Sequence, residues 1–318
     1  MLIVKIMERF THIKDFEDEV LHYKDGGWAC LSWMYDPKKT NKGIIMVLTG
    51  IAGGSKQLYN IHIVRTAIQK GYDVVIVNNR GKEGLKLTTP KMYWGTSTED
   101  VREAIEYVHN KHPNKKIFAI GHSLGAVVLS VYINEVSLLQ EEKILSGAVW
   151  VCTFYDKALS AKHLENYMNG FLSKMIAKQL HIRLEEQRHM FPQMKEQYGI
   201  DPDYVLENCN TLHTFVDQFN AKMFGYGNAP TYYEAANITK KLKNFKIKTL
   251  FISSIDDQVI GPDSAPREQF KDSQDTYLML THAGGHWGYY YKLFSSRQWF
   301  NIPAFQFIEY LNSSQKSE

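Results

Sequence analysis

Four stretches of the chain are almost unbroken apolar runs of strand length: GIIMVL at 43–48, YDVVIVN at 72–78, IFAI at 117–120 and GAVWVC at 147–152. A strand with one face in water alternates apolar and polar residues, whereas a strand buried on both faces does not. Segments of helical period lie between the runs. Around 60–69, Ile63, Ala67 and Ile68 share one side, and Gly71 follows as a left-handed stop. After Thr96-x-x-Glu99, which reads as a capping box, Val101, Ala104, Ile105 and Val108 recur at helical spacing. AVVLSVYI, after Gly125, reads as a helix despite its branched residues, because a parallel sheet needs a crossover to bring the chain back. TLFIS at 249–253 and TYLML at 276–280 supply a fifth and a sixth strand. The expectation is an α/β fold, a mostly parallel central sheet flanked by helices, with right-handed crossovers.

From about Phe154 to Ala236 the rhythm breaks. The stretch ALSAKHLENYMNGFLSKMIAKQLHIRLEEQRHMF is helical and amphipathic and holds no clear strand. It is too long for a plain connection. It reads as a helical cap inserted over the sheet's carboxyl edge, where ligands bind in such sheets. The expected division is a core of residues 1–153 and 237–318 and a cap of 154–236. Met168, Met175, Met190 and Met194 lie in the cap, and core packing is expected for them before substrate contact.

Composition narrows the classes. Lys+Arg 37 against Asp+Glu 34 leaves a net charge of +3, too little to argue for a nucleic-acid groove. Cys30, Cys152 and Cys209 are odd in number and far apart, which fits a reducing, cytoplasmic setting rather than a disulfide framework. No transmembrane segment is expected. The start, MLIVKIMERF, is broken by Lys5, Glu8 and Arg9, and no other stretch nears 18 uncharged apolar residues. Peripheral membrane contact stays open. The N-x-S/T matches at Asn237 and Asn312 carry little weight without a signal peptide, and the terminal NSSQKSE reads as frayed. Nothing in the sequence signals an oligomeric state.

The chemistry concentrates at Gly121-His122-Ser123-Leu124-Gly125, between a strand and a helix. Three fixed residues in five are a weak signal alone, and the strand–turn–helix context makes it strong. A turn this tight strains the serine backbone and aims the hydroxyl outward. The following helix turns its free N–H groups toward developing negative charge. A serine hydroxyl needs a base, and histidine titrates near working pH. Of the 12 histidines, His286 in THAGGH follows the last strand, behind two glycines that let the loop turn inward; His282 is its competitor. Asp256 and Asp257 follow TLFIS. Asp257 is preferred as the ring's partner, with Asp256 bonding loop amides. The order Ser123, Asp257, His286 is that of α/β-hydrolases. Oxyanion donors are expected from the amides of Leu124 and of Ile51 in TGIAGG. Gly50 to Lys56 comes near a phosphate-binding loop but has Ser55 in place of the glycine and Gln57 in place of Ser/Thr. His109-x-x-His112 lacks a third ligand, so no metal and no cofactor is expected.

With those residues in place, the sequence resembles the AB-hydrolase-domain lipases and esterases of eukaryotes and their bacterial relatives, a branch of the α/β-hydrolase superfamily. The segments that carry the resemblance are LTGIAGGSKQLYN, VIVNNRG, LKLTTPKMY, STEDVREAIEYV, IGHSLGA, FGYGNAPTYYEAA, SSIDDQVIGPDSAP and THAGGHWGYY, from about 48 to 291. The resemblance implies hydrolysis of carboxylic esters, often of lipids, without metal or organic cofactor. It also implies Ser123, Asp257 and His286 as the triad. The sequence departs from the family where Ala126 follows Gly125 and where NNRGKEG lacks a cysteine. The expected substrate is an apolar ester. The rival expectations are acyl transfer by the same machinery, and a non-catalytic receptor for an apolar ligand.

Overall fold

A computed structural model describes residues 16–314, apart from Ala52, Glu83, Ser97, Asp263, Trp287 and 291–297. The stretch MLIVKIMERF and the last four residues of the polar C-terminus therefore lie outside the described residues.

Eight strands form one sheet: β1 (Glu17–His22), β2 (Trp28–Met34), β3 (Ile44–Leu48), β4 (Asp73–Asn78), β5 (Ile117–His122), β6 (Leu145–Val151), β7 (Thr249–Ser254) and β8 (Thr276–Thr281). Their order is β1-β2-β4-β3-β5-β6-β7-β8. β2 pairs antiparallel with β1 and β4, and every other pairing is parallel. The six strands read from the apolar runs are all present, in a mostly parallel sheet flanked by helices. β1 and β2 are additional, and form an antiparallel margin.

The helices of the first half are α1 (Leu58–Lys70), α2 (Glu99–Lys111) and α3 (Leu124–Leu139). Side chains alternate across the central strands. Ile44, Met46 and Leu48 pack with α2 and α3, while Ile45 and Val47 pack with α1 and with the final helix. Gly71, at φ 86°, ends α1 and sends its N–H back to Ile68.

The capping box at Thr96 does not form. α2 begins at Glu99 with Thr98 in the capping position, and Thr98 makes no side-chain cap. Its hydroxyl instead donates to Glu135 on α3 at 2.6 Å. Glu99 and Asp100 in the first turn suit the positive helix end without a capping hydroxyl.

Between β6 and β7 run α4 (Lys157–Asn166), α5 (Phe171–Glu185), α6 (Phe191–Tyr198), α7 (Pro202–Asn208), α8 (Leu212–Phe215), a π-helical turn (Val216–Asn220), α9 (Ala221–Met223) and α10 (Ala229–Ala235). The four methionines divide. Met194 is wholly buried, Met190 packs against the core, Met175 lines a cavity, and Met168 is exposed. After β7 come α11 (Arg267–Lys271) and α12 (Asn301–Ser314). Asn312, Ser313 and Ser314 thus finish a helix rather than fray, because Asn312 Nδ2 donates to Lys42 O at 3.0 Å and reaches Tyr72 Oη at 3.2 Å.

Candidate active site

Ser123 stands between the end of β5 and the start of α3, with φ 49° and ψ −112°. A non-glycine residue there costs on the order of 1–3 kcal/mol, so the surroundings must hold it in place. They do so by hydrogen bonds from Ser123 N to Val151 O and from Val127 N to Ser123 O. Gly125 is required because a Cβ there would run into the Leu48 carbonyl.

Asp257 follows β7 and has no solvent exposure. Its Oδ1 accepts from Val259 N at 2.9 Å and Ile260 N at 3.1 Å, which leaves Oδ2 to accept from His286 Nδ1 at 2.8 Å. His286 Nε2 lies 3.0 Å from Ser123 Oγ. A proton held on Nδ1 by the carboxylate leaves Nε2 as acceptor for the serine proton. The three residues come from three loops at the carboxyl end of the sheet, up to 163 positions apart. His282 is exposed, and its ring takes no part in this chain of bonds. Asp256 accepts the N–H of Gly285 at 2.7 Å and the hydroxyl of Ser254. Gly285, at φ 56°, makes the turn that brings His286 inward.

His122, next to the serine, is not a competing base. Burial between Tyr59 and Phe300 pushes its imidazole down to about 3, and the nearby His286 adds to the push. Cys152 lies behind the pair, with ligand atoms of Cys152, Asp257 and His286 within 4.8 Å of one another. Among the described residues, those three are the ones that could offer a metal a site. Asp257 and His286 are already bonded to each other, and burial pushes the Cys152 thiol well up, away from the thiolate a metal takes.

Leu124 and Ile51 border the same cavity as Ser123 and His286. The loop carrying Ile51 is clamped by a residue that the motif reading did not single out. Lys82 is almost wholly buried, and its Nζ donates to Gly50 O at 2.9 Å and reaches Thr49 Oγ1 at 3.1 Å. Its one sequence signal is its place in NNRGKEG directly after a buried strand. The cavity measures about 260 Å³ and is walled by Phe154, Leu164, Leu172, Ile176 and Val216, among others.

The sequence profile of the hydrolase family described as serine aminopeptidase S33 matches residues 39–286. The chain belongs to this family. Its fold places it in the α/β-hydrolase superfamily, with the lipase and esterase branch that its motifs resemble. Human phospholipase ABHD3 is 28% identical over 281 residues, covering 86% of this chain and 66% of that protein. The monoacylglycerol lipase of Saccharomyces cerevisiae is 28% identical over 286 residues, covering 86% of this chain and 61% of that protein. The chain thus spans less than two thirds of the length of these two relatives. A solved Pyrococcus furiosus esterase superposes with a TM-score of 0.58 at 16% identity, over 94% of this chain and 91% of that one, a likeness of fold.

Proposed function

We propose that this S33-family member hydrolyses carboxylic esters of lipids through Ser123, His286 and Asp257. The observation that carries the reading is the continuous hydrogen-bonded chain from Asp257 through His286 to Ser123, opening on an apolar cavity. Ser123 Oγ attacks the ester carbonyl as His286 Nε2 takes its proton. Asp257 fixes the ring tautomer and stabilises the imidazolium. The amides of Leu124 and Ile51 hold the oxyanion. The tetrahedral intermediate collapses to an acyl-serine, and His286 returns the proton to the departing alcohol. Water, deprotonated by the same nitrogen, then frees the acid and restores Ser123.

Residues 154–236 act in this reading as the cap, because α4 and α5 supply Leu164, Leu172 and Ile176 to the cavity wall. The names of the human and yeast relatives, a phospholipase and a monoacylglycerol lipase, support a lipid substrate. So does the exposure of Leu159, Met168, Phe171, Met175 and Ile182 between β6 and β7, apolar side chains suited to ester drawn from an aggregate. Among the described residues no helix is long and apolar enough to cross a membrane.

The test is turnover of a short-chain nitrophenyl ester together with labelling by a fluorophosphonate. The wild type should turn over and be labelled, and Ser123→Ala should do neither. Undiminished turnover by Ser123→Ala would remove the reading.

A further inference from the structure

The cavity beside Ser123 has one lysine among its described lining residues, Lys157, and no arginine. Lys157 opens α4. A lysine at a helix start can run its stem along the surface and leave its amine in water. Here the amine turns inward. Lys157 Nζ donates to Tyr232 Oη at 3.0 Å and lies 5.0 Å from the centre of that ring. It also sits beside the elbow, since a Cβ built on Gly95 would be 2.5 Å from Lys157 Nζ and 3.2 Å from Leu124 Cδ1.

Among the described residues this amine has no counter-charge. The neighbouring Asp156 carboxylate is committed to Ala158 N, Leu159 N and Asn237 Nδ2. Among the described residues no carboxylate pairs with Lys157. The residue keeps some contact with solvent, yet its amine is surrounded by protein, and burial alone pushes it down to about 7. A buried cation with only a phenol for partner is costly to the fold. An anion brought in by a ligand removes that cost and keeps the amine charged. The apolar remainder of the cavity suits an acyl chain, so the ligand combines an oxyanion with hydrocarbon.

We propose that Lys157 is a specificity-determining residue that receives an oxyanion, phosphate or carboxylate, carried by the substrate beside its scissile ester. The enzyme then prefers acyl esters bearing such a group over neutral esters of the same chain. This rests on the ester-hydrolase reading and names the substrate class for that site.

The experiment compares kcat/KM for three esters of one acyl chain: the neutral monoacylglycerol, the acylglycerol phosphate and the acyl glycerate. Either acidic ester, or both, should exceed the neutral one in the wild type, and the stronger of the two identifies the oxyanion. In Lys157→Met the acidic-to-neutral ratio should fall tenfold or more, and Lys157→Arg should restore part of it. An unchanged ratio in Lys157→Met overturns the proposal, as does a wild type that favours the neutral ester. If both variants fold poorly, inhibition of the wild type decides. Hexyl phosphate should inhibit neutral-ester hydrolysis at least tenfold more strongly than hexanol, and equal inhibition overturns the proposal. Failure of the ester-hydrolase reading looks different: all three esters then survive wild type and Ser123→Ala alike.

Discussion

Gly285 donates its N–H to Asp256 Oδ1 at 2.7 Å, one residue before the imidazole that bonds Asp257 Oδ2 at 2.8 Å. Two adjacent aspartates therefore grip the same loop by different handles. Asp256 holds its backbone, and Asp257 holds the ring.

Replacing each aspartate should separate the two handles. Asp257→Asn keeps the shape but removes the charge that fixes the tautomer, and kcat should drop by about 10⁴. Asp256→Ala frees the loop without touching the ring, and about tenfold or less in kcat is expected, with a lower Tm. The pH dependence of that Tm change has a defined sign. Some burial raises the Asp256 carboxyl, but the Ser254 hydroxyl and the N–H groups of Gly285 and Gly284 outweigh it and hold the group below its ordinary value. A depressed carboxylate stabilises the fold above its unfolded value of about 4, and the benefit is lost as pH falls through the folded value. The Tm gap between wild type and Asp256→Ala should therefore shrink from pH 6 to pH 3. A gap that widens would contradict this assignment.

Lys82→Met should show what the loop clamp is worth. The substitution keeps the packing of the stem over Tyr93, whose ring centre lies 4.9 Å from Nζ, but withdraws the donor to Gly50 O. Losing an oxyanion donor outright costs about 10²–10³ in rate. A donor merely loosened should cost less, about 10–10²-fold. The loss should fall on kcat with KM little changed, because the oxyanion exists only beyond the ground state. A rise in KM alone would place Lys82 outside the oxyanion machinery.

The parts legible in the sequence are those set by neighbours in the chain. Val74 to Val77 bury every side chain, so the strand is written in four consecutive letters. The elbow likewise needs its glycine within two residues of Ser123. Parts set from afar were not legible. β1, EDEVLH, buries Leu21 among exposed residues and looks like loop until β2 pairs with it. Thr98 leaves its capping role for Glu135, 37 positions on. Lys82 and Lys157 look like ordinary surface cations, and their meaning lies in contacts 33 and 75 positions away.

Gly125→Ala tests how closely the elbow is packed. The new methyl would meet the Leu48 carbonyl and lie 2.9 Å from Thr49 O, both of them backbone atoms. β3 and α3 must part to admit it, at an overpacking cost of about 1–3 kcal/mol. Ile51 follows Thr49 by two residues, so the same movement should spread the proposed oxyanion donors. Stability by denaturant and kcat should therefore fall together. A stable but inactive variant would show that the β3 loop moves without strain in the sheet.

The proposed acyl pocket gives the most quantitative expectation. Each methylene taken from water into a hydrocarbon wall is worth about 0.8 kcal/mol, or about fourfold in kcat/KM. Along a series of esters with one alcohol and lengthening acyl chains, kcat/KM should climb at about that slope and then level off. The break comes where the cavity of about 260 Å³ is full. Ile176→Phe adds bulk to that wall, so the break should move to shorter chains by one or two carbons while the early slope stays the same. If the slope is flat from the shortest ester, the chain does not enter this cavity. If the break stays in place in Ile176→Phe, the chain leaves Ser123 by a path that does not pass α5.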